Sequence, residues 1–83
     1  MAKLTNEQRR AVIVAAALRV QRDSGIWAVA HGTVAKRCAV PTSTATVRYY
    51  FATKDDLWRI VIAVDDTSAA LEQARELGWQ TNQ

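Results

Sequence analysis

The signals that start and stop helices constrain this sequence more than any other feature. Thr5 stands three residues before Gln8, the capping-box spacing in which each side chain can bond the backbone N–H of the other residue. Gly25 can end the helix in the left-handed conformation. We therefore predict a first helix of about five turns. Its apolar face, at steps of three and four residues, consists of Val12, Ile13, Ala16, Ala17 and Val20.

Two short helices are predicted next. Residues 31–38 have helical spacing and make roughly two turns. Pro41 ends that segment, because proline disfavours helical geometry at the residue before it. Ser43 or Thr42 can then cap a third helix over residues 44–50. The Thr, Val and Tyr content of that segment favours a strand, but its context favours a helix.

A long fourth helix is predicted to follow Thr53, which can cap it, and two acids in its first turn complement the helix dipole. It runs for about six turns before Gly78, with its apolar face at Leu57, Ile60, Val61, Val64, Ser68, Leu71 and Ala74. The predicted fold is all-α, a three-helix bundle with an extended fourth helix. With 83 residues the chain has room for one domain, in which residues 1–59 form the bundle unit and residues 60–83 the extension and an acidic tail.

The two short helices carry a motif. Consecutive short helices, the second rich in hydroxyl, arginine and tyrosine side chains, are typical of a helix-turn-helix that places its second helix in the DNA major groove. Residues 34–40 read V-A-K-R-C-A-V, and residues 46–57 read T-V-R-Y-Y-F-A-T-K-D-D-L. This resembles the DNA-binding part of the TetR family of bacterial repressors, whose pattern runs I-A-x-x-A-G-V, a Ser-led turn, T-L-Y-x-[YH]-F and x-[ST]-K-[ED]-x-L. The resemblance covers about residues 5–64 and implies a homeodomain-like three-helix unit.

The resemblance, together with side-chain chemistry, assigns expected roles. Val47 and Phe51 are expected in the core, and Lys54 lies at the positive end of a helix, where anions bind. The residues expected to read bases are Thr44, Ala45, Thr46, Arg48 and Tyr49. Those expected to contact phosphates are His31, Thr33, Lys36, Ser43, Tyr50 and Lys54.

The sequence also departs from the family pattern. Arg48 replaces the usual tyrosine and is able to grip guanine, so the family's target sequences do not transfer. The turn over residues 41–43 is about two residues longer than the family's, and Ala39 replaces its glycine. TetR-like repressors carry a second helical domain for ligand binding and dimerisation, for which these 83 residues leave no room. We therefore expect no pocket for a small-molecule inducer.

Charge and composition narrow the function classes. Residues 1–59 hold ten basic and four acidic side chains, whereas residues 60–83 hold one basic and four acidic ones. The excess of basic residues in the part that contains the motif suits double-stranded DNA as a partner, and binding of this kind depends on salt concentration. One cysteine and one histidine provide neither a disulfide nor a closed zinc site, and no nucleophile–base pair or glycine-rich phosphate loop is present. We expect no enzymatic activity, no metal, no cofactor and no membrane segment, and a cytoplasmic location.

The predicted function is sequence-specific binding of double-stranded DNA by a small transcriptional regulator, most simply a repressor, of bacterial or phage origin. A homodimer is a further hypothesis, with contacts from Leu71, Ala74, Leu77 and Trp79. The alternative is a protein-binding antirepressor or adaptor, which would use the same fold, the acidic tail and Trp79 to engage another regulator.

The remaining aromatic and acidic residues are predicted to be structural. Trp27 and Trp58 flank helices in apolar runs and are expected in the core. Trp79 either packs back on the domain or contacts a partner. Asp65 and Asp66 are expected on an exposed polar helix face.

Overall fold

The computed structural model describes residues 3–79, and in that range every regular element is a helix, which confirms the all-α prediction. The last residues of the predicted tail, 80–83, lie outside this range. Among residues 3–79, no helix is both long enough and apolar enough to cross a membrane. The elements are α1 (Asn6–Ser24), a 3-10 helix (Ile26–Ala28), α2 (His31–Arg37), α3 (Thr44–Tyr50), α4 (Lys54–Val64) and α5 (Ala69–Glu76).

Side-chain caps begin three of these helices at the predicted positions. The Thr5 hydroxyl accepts from the amide of Gln8 at 3.1 Å, and the amide of Thr5 donates to Gln8 Oε1 at 2.9 Å. Thr53 and Asp56 form the same reciprocal box at the start of α4. Ser43, rather than its neighbour at position 42, caps α3 by accepting from the amide three residues on. These local bonds fix where α1, α3 and α4 begin.

The core lies where α1 packs against α2, α4 and the 3-10 helix, with α2 also packed on α3. Val47 is the one buried side chain of α3, and Phe51 follows it into the core, as predicted. Trp58 is also buried, and its indole N–H donates to the carbonyl oxygen of Val29 at 2.9 Å. The aliphatic core residues with no exposed surface include Ile13, Ala16, Ala17, Ile26, Val29, Val34, Leu57 and Val61.

The prediction of one extended fourth helix is wrong, because α4 ends at Val64 and α5 starts only after a turn. The carboxylate of Asp65 stabilises the turn that follows α4. It accepts a hydrogen bond from the amide of Ala70 at 2.8 Å, and two more from the amide and the hydroxyl of Thr67 at 3.2 and 2.8 Å. These bonds, first that from Ala70, hold the pKa of Asp65 below its ordinary value despite its burial. Asp65 is therefore buried rather than exposed as predicted, whereas Asp66 is exposed.

The turn sends α5 back onto the 3-10 helix and α4. Ala70 and Ala74 are fully buried there, and Gln73 Oε1 accepts from the amide of Ile26 at 2.8 Å. Ile26 takes the core position next to Gly25, so Trp27 remains 65% exposed and its predicted place in the core is wrong. The C-terminal segment thus completes the core instead of extending away from it.

Candidate nucleic-acid interface

The outer side of α3 is a continuous exposed stripe. Thr44, Ala45, Arg48 and Tyr49 are exposed, and Tyr49 is 78% exposed. Steps of one and four residues place them on one side of the helix, opposite the buried Val47. An exposed tyrosine and arginine on a helix that contributes one side chain to the core form a surface suited to contact another molecule.

Two contacts with the body of the protein hold α3 in place. α3 packs against α2, and Nε2–H of His31, the first residue of α2, donates to the carbonyl oxygen of Phe51 at 2.7 Å. This bond gives a hydrogen-bond donor to the carbonyl oxygen of the residue directly after α3. His31 is only 8% exposed, because its imidazole is engaged inside the fold, and this leaves little of the side chain for the predicted phosphate contact.

Several predicted contact residues use their hydroxyls within the chain. Thr46 is half-buried, and its hydroxyl lies 2.9 Å from that of Ser43. The Tyr50 hydroxyl donates to Asn6 Oδ1 at 3.1 Å. The rings of Tyr50 and Tyr49 pack edge to face, with their centres 5.1 Å apart. The hydroxyls of Thr46 and Tyr50 are therefore engaged within the chain, whereas the residues of the exposed stripe stay accessible.

The N-terminus of α4 adjoins the end of α3 and carries an exposed cation. The ammonium of Lys54 lies 5.3 Å from the centre of the Trp58 ring, a cation–π contact. The neighbouring carboxylate of Asp55 accepts from the indole N–H of Trp79 and pairs with Arg59 Nε at 2.7 Å. Asp55 is thus engaged by Trp79 and Arg59. Lys54 lies at the positive end of the dipole of α4, an eleven-residue helix whose first turn also holds the acids Asp55 and Asp56.

Basic residues from other elements border this surface. On α2, Thr33 and Lys36 are exposed, whereas the guanidinium of Arg37 pairs with Asp23 of α1. Arg10 of α1 lies 5.1 Å from the centre of the Phe51 ring, which places a further cation beside the α3–α4 junction. Arg10 was not predicted at this junction, because it precedes Phe51 by 41 residues and no local sequence signal indicates the contact.

The residues of the dimer hypothesis do not form one surface. Ala74 is fully buried within the monomer, and Trp79 packs back on α4 through its bond to Asp55. Leu77 is exposed, and Leu71 is half-buried. The break after α4 removes the continuous apolar stripe from which that interface was inferred.

Within the part of the chain that the structure describes, no group of three or more His, Cys, Asp or Glu side chains could hold a metal ion. The chain matches no protein-family model, no curated protein and no solved structure. The geometry of α3 and its surroundings is therefore the basis on which function is inferred.

Proposed function

We propose that this chain is a sequence-specific, double-stranded-DNA-binding regulator in which α2 and α3 act as a helix-turn-helix and α3 enters the major groove. The observation that carries the proposal is the exposed stripe on α3, where Arg48 and Tyr49 project beside small and hydroxyl side chains. An α-helix fits the major groove, where arginine can bond guanine O6 and N7 together and threonine can bond several base edges. The resemblance of residues 46–57 to the TetR motif supports the same assignment.

The positive end of α4 would contact the DNA backbone. The exposed ammonium of Lys54 suits a phosphate, because it lies at the helix N-terminus, where the dipole also favours an anion. Thr33 and Lys36 on α2 would add contacts on the other side of α3. Such contacts fix the position of a protein on the duplex and give binding its dependence on salt.

The proposal is tested by selecting bound duplexes from a random pool with the full chain. It predicts enrichment of one short sequence motif containing guanine, because Arg48 is the strongest base-reading side chain on the stripe. The absence of any enriched motif at low salt would contradict it.

Two substitutions separate base reading from backbone binding. R48A should weaken binding to the selected duplex by about 1–3 kcal/mol and relax the preference at one position. K54A should weaken binding to all duplexes alike and lower the salt slope by about one. The matched control is R75A, which removes an exposed positive charge from α5 and should leave both the affinity and the preference nearly unchanged.

The same measurements identify the alternative, a protein-binding antirepressor or adaptor. In that case binding to duplex is weak and independent of sequence from the outset. R48A, K54A and R75A would then have equal and small effects, each reflecting only the loss of one charge.

A further inference from the structure

A second surface, separate from the exposed stripe of α3, lies at the C-terminal end of α1. The last turn of α1, the 3-10 helix and the end of α5 enclose an open cleft of about 410 Å³. Trp27 and Leu77, which are 65% and 56% exposed, both line it. Single exposed apolar residues are common on monomers, but a tryptophan and a leucine that line the same cleft add their apolar surfaces, and exposed apolar patches mark interaction sites.

The cleft also contains a polar group without a partner. Gln21 is 3% exposed, and within residues 3–79 its Oε1 accepts no hydrogen bond. A buried carbonyl oxygen that accepts no hydrogen bond costs free energy in the isolated chain.

The charges at the cleft are of both signs. Arg22 comes from the end of α1 and Glu76 from the end of α5, and neither forms an ion pair with any residue in the described range. In a two-fold symmetric dimer, Trp27 and Leu77 of the two copies can pack together while Arg22 of one copy faces Glu76 of the other. Symmetry then gives two such ion pairs. This self-complementarity favours a second copy of the chain over a partner of one charge sign.

We infer that this cleft is a homodimer interface, centred on Trp27 and Leu77 and flanked by two Arg22–Glu76 ion pairs. It shares only Leu77 with the interface predicted from the sequence. The inference is independent of the proposed DNA binding, because none of these residues belongs to the α3 stripe or the positive end of α4.

Sedimentation equilibrium of the full chain without DNA tests the inference, over concentrations from about 5 to 500 µM. We expect a monomer–dimer equilibrium with a dissociation constant on the order of 10–100 µM. W27A should raise that constant about thirtyfold, because a central interfacial tryptophan carries a large share of the binding energy. Y49A, which removes an exposed ring outside the cleft, should leave it unchanged.

A charge exchange keeps the test decisive if W27A also disturbs the fold. R22E should raise the dissociation constant about tenfold, and the double variant R22E/E76R should restore it to near the wild-type value. A chain that stays monomeric at about 500 µM would overturn the inference. So would a dimer that W27A leaves intact, or a double variant that is no tighter than R22E. None of these results bears on the duplex selection.

Discussion

Three of the helices up to α4 begin differently from the helix after it. α1, α3 and α4 each start at a hydroxyl residue whose side chain bonds an amide three residues on. α5 starts at Ser68, whose side chain makes no capping bond and whose φ is 63°. Its first two amides bond side chains that precede Ser68: the amide of Ala69 donates to the Thr67 hydroxyl, and that of Ala70 donates to the Asp65 carboxylate. Caps that span three residues can therefore be predicted from a sequence. A carboxylate such as that of Asp65, which is buried because it accepts hydrogen bonds from the turn that follows it, resembles a surface residue in the sequence.

The largest effect should come from D65A. The substitution removes the acceptor for three hydrogen bonds and leaves the buried amide of Ala70 without a partner, so we expect a loss of about 2 kcal/mol in the free energy of unfolding at pH 7. Urea denaturation measures it. The control is D66A, an exposed neighbour that should change stability by less than about 0.5 kcal/mol. Equal effects of the two variants would remove the distinction between the regions.

Acid should narrow the difference in stability between D65A and the wild type. The pKa of Asp65 is lowered from 3.8, chiefly by the amide of Ala70, so the folded state favours its ionised form. Its stabilising effect is therefore complete above the unfolded-state pKa and is lost as the pH falls through the lower folded-state pKa. Denaturation at pH 7 and at about pH 2.5 should show a gap that narrows. A gap that stays constant would show that ionisation plays no part.

These residues also indicate how far the sequence determines the fold. The caps at Thr5 and Thr53 were predictable because each spans three positions. The end of α4 was not, because the apolar spacing continues through Leu71 and only the hydrogen bonds of Asp65 reveal the turn. Trp27 was misplaced for a similar reason: adjacent apolar residues compete for one core position, and packing against α5 favours Ile26.

A smaller effect is expected from T53A, which removes the cap of α4. The variant should lose about 1 kcal/mol of unfolding free energy, because the amide of Asp56 loses its acceptor. Thermal or urea denaturation checks it against T33A, an exposed threonine within α2 that caps nothing. A T53A loss no greater than that of T33A would contradict a capping role for Thr53.

The smallest effect should be a gain. S68G should raise the free energy of unfolding by about 0.5 kcal/mol, because glycine adopts a positive φ without the steric cost that serine bears. The same change in the helical last residue of α1, S24G, should lower stability by a similar amount. If S68G destabilises the chain as S24G does, the left-handed turn is not the conformation in solution.

The candidate site was predictable in part. The outward stripe of α3 follows from helical spacing once Val47 is assigned to the core, and exposure agrees for Thr44, Arg48 and Tyr49. Long-range contacts could not be anticipated. The imidazole of His31 bonds a carbonyl twenty residues away, which leaves little of it for the site, whereas Arg10 reaches the α3–α4 junction through the fold.

The central claim is that α3 and the start of α4 form the DNA-binding surface while α5 serves the fold. Amide chemical shifts of the full chain, followed by NMR as the selected duplex is added, test it directly. We expect the largest changes at residues 43–54 and the next largest in α2, whereas residues 65–79 should change little. Changes concentrated in residues 65–79, or a spectrum that the duplex leaves unaltered, would contradict it.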